Sequence, residues 1–305
     1  MQMIKFKLPL FMKFYCPIIL LILIGCSKPS KNNSSESHII FEPNKTVKVQ
    51  INSIKKDLKE LKNPITISGE DGKYIFVIED NKIPTGECLI HIFNPRNLEL
   101  VSKKGVVGFG PNEMPNVSLI DLGFNKNTFL AYSSIDKKMS EYNITDNNPF
   151  SIEQYKQSEN LISLIRMIST SDSTFLGISS DDQNRLVEYN KKGERIAGYG
   201  NWEIIDSKYE MDNFLIGSLN AGWFTCDESK RYFVKASISR DRLEIFDYHN
   251  KKFTIVDGPE TKLPKFEIVG STNNSRLIFD SQNPYRYRDV SITAKNDEVD
   301  PLLTI

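Results

Sequence analysis

Short strand-like runs, an aromatic recurring at intervals of 49, 47 and 57 residues (Phe93, Tyr142, Tyr189, Phe246) and a glycine-rich corner recurring beside it predict an all-β fold of the β-propeller kind. The corner is clearest at Gly108-Phe109-Gly110-Pro111-Asn112-Glu113. Weaker copies stand at Gly198-Tyr199-Gly200-Asn201-Trp202-Glu203 and Asp257-Gly258-Pro259-Glu260. Glycine opens backbone angles closed to other residues, proline fixes the next φ, and a carboxylate takes up amides that a tight turn leaves unpaired. A period near 50 residues built of short strands matches one four-stranded blade. A single such sheet cannot bury both faces, whereas sheets packed radially bury each against a neighbour, so the recurring aromatics are expected to fill the spaces between blades.

The chain opens with a secretory signal over residues 1–25: Lys5, Lys7 and Lys13 precede an apolar run, Pro17 to Ile24, too short to span a bilayer comfortably. Leu23-Ile24-Gly25-Cys26 resembles the bacterial lipoprotein cleavage box, which would make Cys26 the acylated first residue of the mature protein. Residues 26–45 read as a flexible tether, because Ser27 to Ser37 holds no apolar side chain except Pro29. Residues 46–305 form the propeller domain. Thr46 to Ile51 alternates apolar with polar and is the candidate for a strand that closes the ring, and Ile54 to Leu61 has helical spacing that Pro64 ends. Strands follow at Tyr74 to Ile78, Leu89 to Phe93 and Glu99 to Val101, then the corner. The order repeats with Phe129 to Tyr132 and Lys138 to Asn143, with Thr174 to Ile178 and Arg185 to Asn190, and with Tyr232 to Ala236, Arg242 to Asp247 and Phe253 to Val256. An Asn or Asp follows each recurring aromatic. Arg288 to Thr293 looks like the start of a further blade, but no aromatic-rich strands follow it, and the count comes to about five blades plus a fragment.

Lysine plus arginine equals aspartate plus glutamate at 39 each, so no global field draws nucleic acid or polyanions. Cys16 leaves with the signal and Cys26 carries lipid, which leaves Cys88 and Cys226 as two buried thiols or a disulfide. The three histidines are His38, His91 and His249. Cys88-x-x-His91 has metal-like spacing but lacks a second pair, and residues three apart on a strand face opposite sides. Gly105, Gly108 and Gly110 open no helix, so they do not form a dinucleotide fingerprint. Asp181, Asp182 and Asn184 read as a solvated turn, and no metal or cofactor is expected. Glu113 is either an internal hydrogen-bond staple or a ligand contact. Met114, Trp202 and Trp223 flank corners, where a binding rim or simple packing is expected, and Tyr285-Arg286-Tyr287-Arg288 alternates aromatic with base, a weak glycan-facing pattern.

With Cys26, the dense strand Tyr74 to Ile78, Ile90-His91-Ile92-Phe93-Asn94 and above all Gly108-x-Gly110-Pro111-x-Glu113, the chain resembles the TolB-like six-bladed propeller lipoproteins of Gram-negative bacteria, to about Val290. The resemblance implies a six-bladed propeller of the TolB-like or NHL-like type and no agreed enzymatic activity. Relatives often reach the cell surface through an acidic run after the lipidated cysteine. Here Lys28 and Lys31 stand in its place, so the expectation is the periplasmic face of the outer membrane. The expected function is non-catalytic binding or scaffolding of another envelope protein or a small ligand, by a monomer held to the membrane through Cys26. Two alternatives stay open: a propeller-type lyase or hydrolase on glycans or peptides, with Glu113 at the channel mouth, and a truncated remnant of a longer propeller lipoprotein.

Overall fold

The computed structural model of the chain describes residues 36–41, 50, 52, 55–70, 73–156, 161, 163–205, 211–271, 274–294 and 301–304. The signal segment, Cys26 and the strand expected at Thr46 to Ile51 lie outside the described residues, save Gln50, which joins no strand.

The end of the expected tether departs from the sequence reading, because Glu36–Ile40 forms β1. Four antiparallel four-stranded sheets then follow in chain order. The first holds β2 (Pro64–Glu70), β3 (Tyr74–Glu79), β4 (Cys88–Phe93) and β5 (Leu100–Val106), and the second β6 (Leu119–Leu122), β7 (Thr128–Ser133), β8 (Lys138–Asn143) and β9 (Glu153–Lys156). The third holds β10 (Leu164–Ser169), β11 (Phe175–Ser179), β12 (Asn184–Tyr189) and β13 (Arg195–Asn201). The fourth holds β14 (Gly222–Cys226), β15 (Tyr232–Ser237), β16 (Arg242–Asp247) and β17 (Lys252–Asp257), and β1 adds to the edge of β17 in parallel. These are four blades arranged about a common axis.

The count of about five blades plus a fragment, and the six of the resembled family, are therefore replaced by four described blades and two hairpins, β18 (Phe266–Val269) with β19 (Arg276–Phe279) and β20 (Ser291–Ala294) with β21 (Pro301–Thr304). Dividing length by a period overcounts because several segments make no full sheet. Residues 55–61 hold no helix and no strand. The connection from β13 to β14 carries a helix, α1 (Asn213–Leu219), whose Asp212 side chain accepts the Leu215 amide at 2.8 Å. This insertion explains why the third interval between aromatics is 57 residues.

All four recurring aromatics fall on the third strand of a blade and are buried, Phe93 and Tyr142 almost wholly. Tyr142 faces the first blade, Tyr189 the second and Phe246 the third, each inside an apolar cluster shared with that neighbour. Between the first two blades Phe76 lies 5.0 Å from Phe129, which stacks on Tyr142 at 5.3 Å, ring centre to ring centre. Truncating any of these rings to alanine is expected to cost roughly 3–5 kcal/mol. Val290 and Ile292 of the β20 hairpin bury the other face of the fourth blade, against Val234, Ala236 and Leu243.

The Asn or Asp after each aromatic has a local task. Its side chain accepts amides of the turn into the fourth strand: Asn94 from Arg96 at 2.9 Å, Asn143 from Thr145 at 2.9 Å, Asn190 from Lys192 at 2.9 Å and Asp247 from Asn250 at 3.0 Å. These residues favour such turns because their short side chains close a ring with their own backbone.

The second corner copy does not turn the chain. Gly198 and Gly200 lie within β13, where Gly200 has φ +64° and a methyl group added there would come 2.6 Å from the ring of Phe253 in the fourth blade. Gly200→Ala is therefore expected to destabilise the protein by more than about 1 kcal/mol, whereas Gly69→Ala should change stability by less than about that much. Nothing lies within 4 Å of an added methyl at Gly69. Urea unfolding midpoints of the two variants check the difference.

Candidate ligand-binding site

The first strands of the last three blades lie side by side, with β10 beside both β6 and β14. At the end of the blades where β6 and β10 begin, Ser118 and Ser163 precede these strands, and Ser134 and Ser180 follow the second strands β7 and β11. With Lys137, Leu164, Ile165 and Arg166 they line a cavity of about 490 Å³. That size is within the range of small-molecule pockets.

The two blades build their halves from the same residue type but bond it differently. Ser118 donates its hydroxyl to Ser134 Oγ at 2.6 Å and accepts Asn116 Nδ2 at 2.9 Å. Ser163 and Ser179 share a hydrogen bond of 3.0 Å, and Ser179 donates to Asp181 at 2.9 Å. The Ser180 amide donates to the Ser163 carbonyl at 2.9 Å. Equivalent positions of the first blade hold Asn63 and Asp80, and of the fourth Ala221 and Ile238, joined by the same backbone bond. The serine lining therefore belongs to the second and third blades.

Two cations complete the wall. The Lys137 ammonium donates to the Leu164 carbonyl at 2.7 Å, and burial lowers its pKa. Arg166 donates to the Ser118 carbonyl at 3.4 Å and stacks 4.7 Å over the Trp223 ring. Burial lowers its pKa as well, against the pull of Asp289, yet a guanidinium stays charged in proteins. Among the described residues no carboxylate lines the cavity. Of the nearby acids, Asp136 pairs with Lys138 at 3.0 Å and Asp181 is occupied by Ser179.

The residues singled out in sequence are placed elsewhere. Glu113 Oε2 accepts the Gly110 amide at 2.8 Å, its carbonyl takes Gln154 Nε2 at 3.2 Å, and an added methyl at Gly108 or Gly110 would collide with its carboxylate. Pro111 is exposed at the loop tip, and Met114 is buried beneath it with its sulfur 3.9 Å from the Tyr142 hydroxyl. Trp202 donates its indole to the Asp182 carbonyl at 2.8 Å, with the Lys235 ammonium 4.9 Å over its ring. Trp223 donates to the Tyr287 carbonyl at 3.0 Å and touches the site only by supporting Arg166. Cys88 and Cys226 are both free thiols. Asp182 caps Asn184 and pairs with Arg195 at 3.0 Å. Sequence reasoning missed the serines, although Ser118-Leu119-Ile120 returns as Ser163-Leu164-Ile165 and Ser133-Ser134 as Ser179-Ser180.

Two further polar clusters tie the third blade to the fourth. Near the cavity, Glu244 lies 2.8 Å from Lys235 and 3.6 Å from Arg185, while Glu203 takes Arg240 and Arg242, and Asp257 takes Arg242 at 2.6 Å. Glu36 of β1 lies 3.6 Å from Arg185 as well, so four carboxylates face four cations, as a buried clasp requires. At the opposite end, Glu188 accepts hydroxyls from Thr174 at 2.5 Å, Tyr199 at 2.5 Å and Tyr248 at 2.7 Å. The second blade has the counterpart, Glu141 accepting Thr128 at 2.6 Å and Tyr155 at 3.3 Å.

A scan against family models and a search of curated proteins each gave no match. Among solved structures, the chain is similar to a putative exported protein from Bacteroides fragilis, at 14% identity and TM-score 0.44 over 73% of this chain and 60% of that one. A structural genomics protein of unknown function from Bacteroides thetaiotaomicron matches at 14% and 0.44, over 74% of this chain and 52% of the other. A member of the duf4221 family from Bacteroides vulgatus matches at 15% and 0.42, over 66% and 58%. The chain thus spans 52–60% of the length of these three proteins. At these scores the likenesses identify neither a family nor a function.

Burial raises the pKa of Glu188, but the three hydroxyls and Lys251 outweigh it and hold the group below the ordinary carboxylate range. A folded-state value below the unfolded one gives stability that is present above the unfolded pKa and lost as pH falls through the folded one. Urea midpoints from pH 7 downwards should therefore show Glu188→Gln less stable than wild type at neutral pH, with the gap closing as the pH drops below about 4.

Proposed function

We propose that the chain is a lipid-anchored module of the cell envelope that binds a small ligand or another envelope protein at the serine-lined end of its blades and does no chemistry of its own. The observation that carries this reading is the cavity itself. Two blades supply serine hydroxyls to one concave surface, two cations flank it, and among the described residues no carboxylate or histidine stands in its wall to serve as a base. Lys137, the wall amine, is held as a donor by the Leu164 carbonyl. Glu113, the acid that an enzymatic reading would need, has its carboxylate tied to the Gly110 amide of its own loop.

The anchor and the address rest on sequence. The box Leu23 to Cys26 supports lipidation, and the absence of an acidic run behind it supports the periplasmic face of the outer membrane. Among the described residues no helix is long and apolar enough to cross a membrane. Kinship with the TolB-like lipoproteins is inferred from the same box and from Gly108 to Glu113.

Two measurements check the parts separately. Cys26→Ser should abolish incorporation of radiolabelled palmitate and move the protein out of the membrane fraction, and unchanged labelling would contradict the anchor. Ser163→Trp fills the cavity mouth. Native mass spectrometry of protein purified from its own envelopes should find a ligand or partner on wild type and lose it in this variant, and retention by both would place binding elsewhere.

A further inference from the structure

The cavity wall carries two cationic donors and four hydroxyls, with no carboxylate among its described residues. Ser118 spends its proton on Ser134, and Ser134 receives a second bond from Asn116, so the Ser134 proton has no partner among the described residues. Ser180, its counterpart in the third blade, has no side-chain bond among the described residues, while Ser163 and Ser179 are committed to each other and to Asp181. Lys137 uses one of its three protons on Leu164, and Arg166 uses one N–H on Ser118. The unspent groups are therefore two hydroxyl protons, an ammonium and a guanidinium, set around a space of about 490 Å³. Water satisfies these half-buried donors in the free protein, and the ligand that best replaces it is one rich in acceptors and negatively charged.

On this basis we infer that the cavity takes a small hydroxyl-bearing oxyanion, a sugar carrying a carboxylate or a phosphate group. Arg166, braced on the Trp223 ring, and Lys137 receive the anionic group. Ser134 and Ser180 donate to ring or hydroxyl oxygens, and the exposed side chain of Ile165 offers an apolar contact for a sugar face. Asp289 lies near enough to supply partial counter-charge to Arg166. This inference rests on the binding role proposed above.

Isothermal titration of the detergent-solubilised full-length protein with glucuronate, glucose 6-phosphate and glucose tests it. One or both anions should bind, and glucose should bind at least about tenfold more weakly. The stronger of the two anions distinguishes carboxylate from phosphate recognition. Lys137→Gln and Arg166→Gln should each weaken the anion by about tenfold or more. Because Arg166 packs on Trp223, its variant is read only if its thermal melt matches wild type, and Lys137→Gln keeps the test decisive otherwise. Equal binding of glucose and the anions, anion binding unaffected by Lys137→Gln, or no anion binding by a cooperatively folded protein would overturn the inference. If the anions fail while Ser163→Trp still removes the native ligand, only the ligand class falls. If both fail, the binding role falls too.

Discussion

The structure depends on the burial of one blade's face against the next. A four-stranded sheet of this size has two apolar faces and no means of covering both, so each blade is stable only through its neighbours. The third strand of each blade supplies the decisive side chain, Phe93, Tyr142, Tyr189 or Phe246, and in the second, third and fourth blades it lies on the face turned to the preceding blade. The opposite face of each blade then receives the next aromatic, which is why Phe76 and Phe129, or Tyr199 and Phe246, meet across blades rather than within one. On the outer face of the fourth blade the β20 hairpin takes over this covering task through Val290 and Ile292.

This apolar packing leaves the ends of the blades free to vary. At one end Glu141 and Glu188 fasten hydroxyls of their own and adjoining blades. At the other, small changes decide what is built: asparagine and aspartate in the first blade, alanine and isoleucine in the fourth, paired serines in the second and third. The backbone bond is kept at equivalent positions in the first, third and fourth blades, so the third blade's share of the cavity arises from side-chain substitution on a repeated frame, while in the second blade the Ser118 hydroxyl takes the Ser134 amide instead.

Much of that frame was legible from particular residues. The aromatic period located four strands, read as the second of each unit but in fact the third because the first strand went unseen, and the Asn or Asp beside it marked turns whose amides it caps. First strands such as Pro64–Glu70 and Gly222–Cys226 escaped notice because proline and glycine at an edge mask the alternation that betrays a strand. The corner copies misled for a related reason, since glycine marks close approach as readily as a turn. Gly200 makes room for Phe253, and Glu203 leaves its loop for Arg240 and Arg242. The cavity was hidden because serine carries no strong pattern of its own, and only the duplication of Ser118-Leu119-Ile120 and Ser133-Ser134 about one blade later pointed to it.

The claim that adjacent sheets hold one another through these rings is tested most directly by a double-mutant cycle between Phe76 in the first blade and Phe129 in the second, read by urea unfolding. Rings 5.0 Å apart across a buried interface should be coupled by about 0.5–1.5 kcal/mol. Additive effects of Phe76→Ala and Phe129→Ala would show that the two blades do not share a core, and would contradict the account.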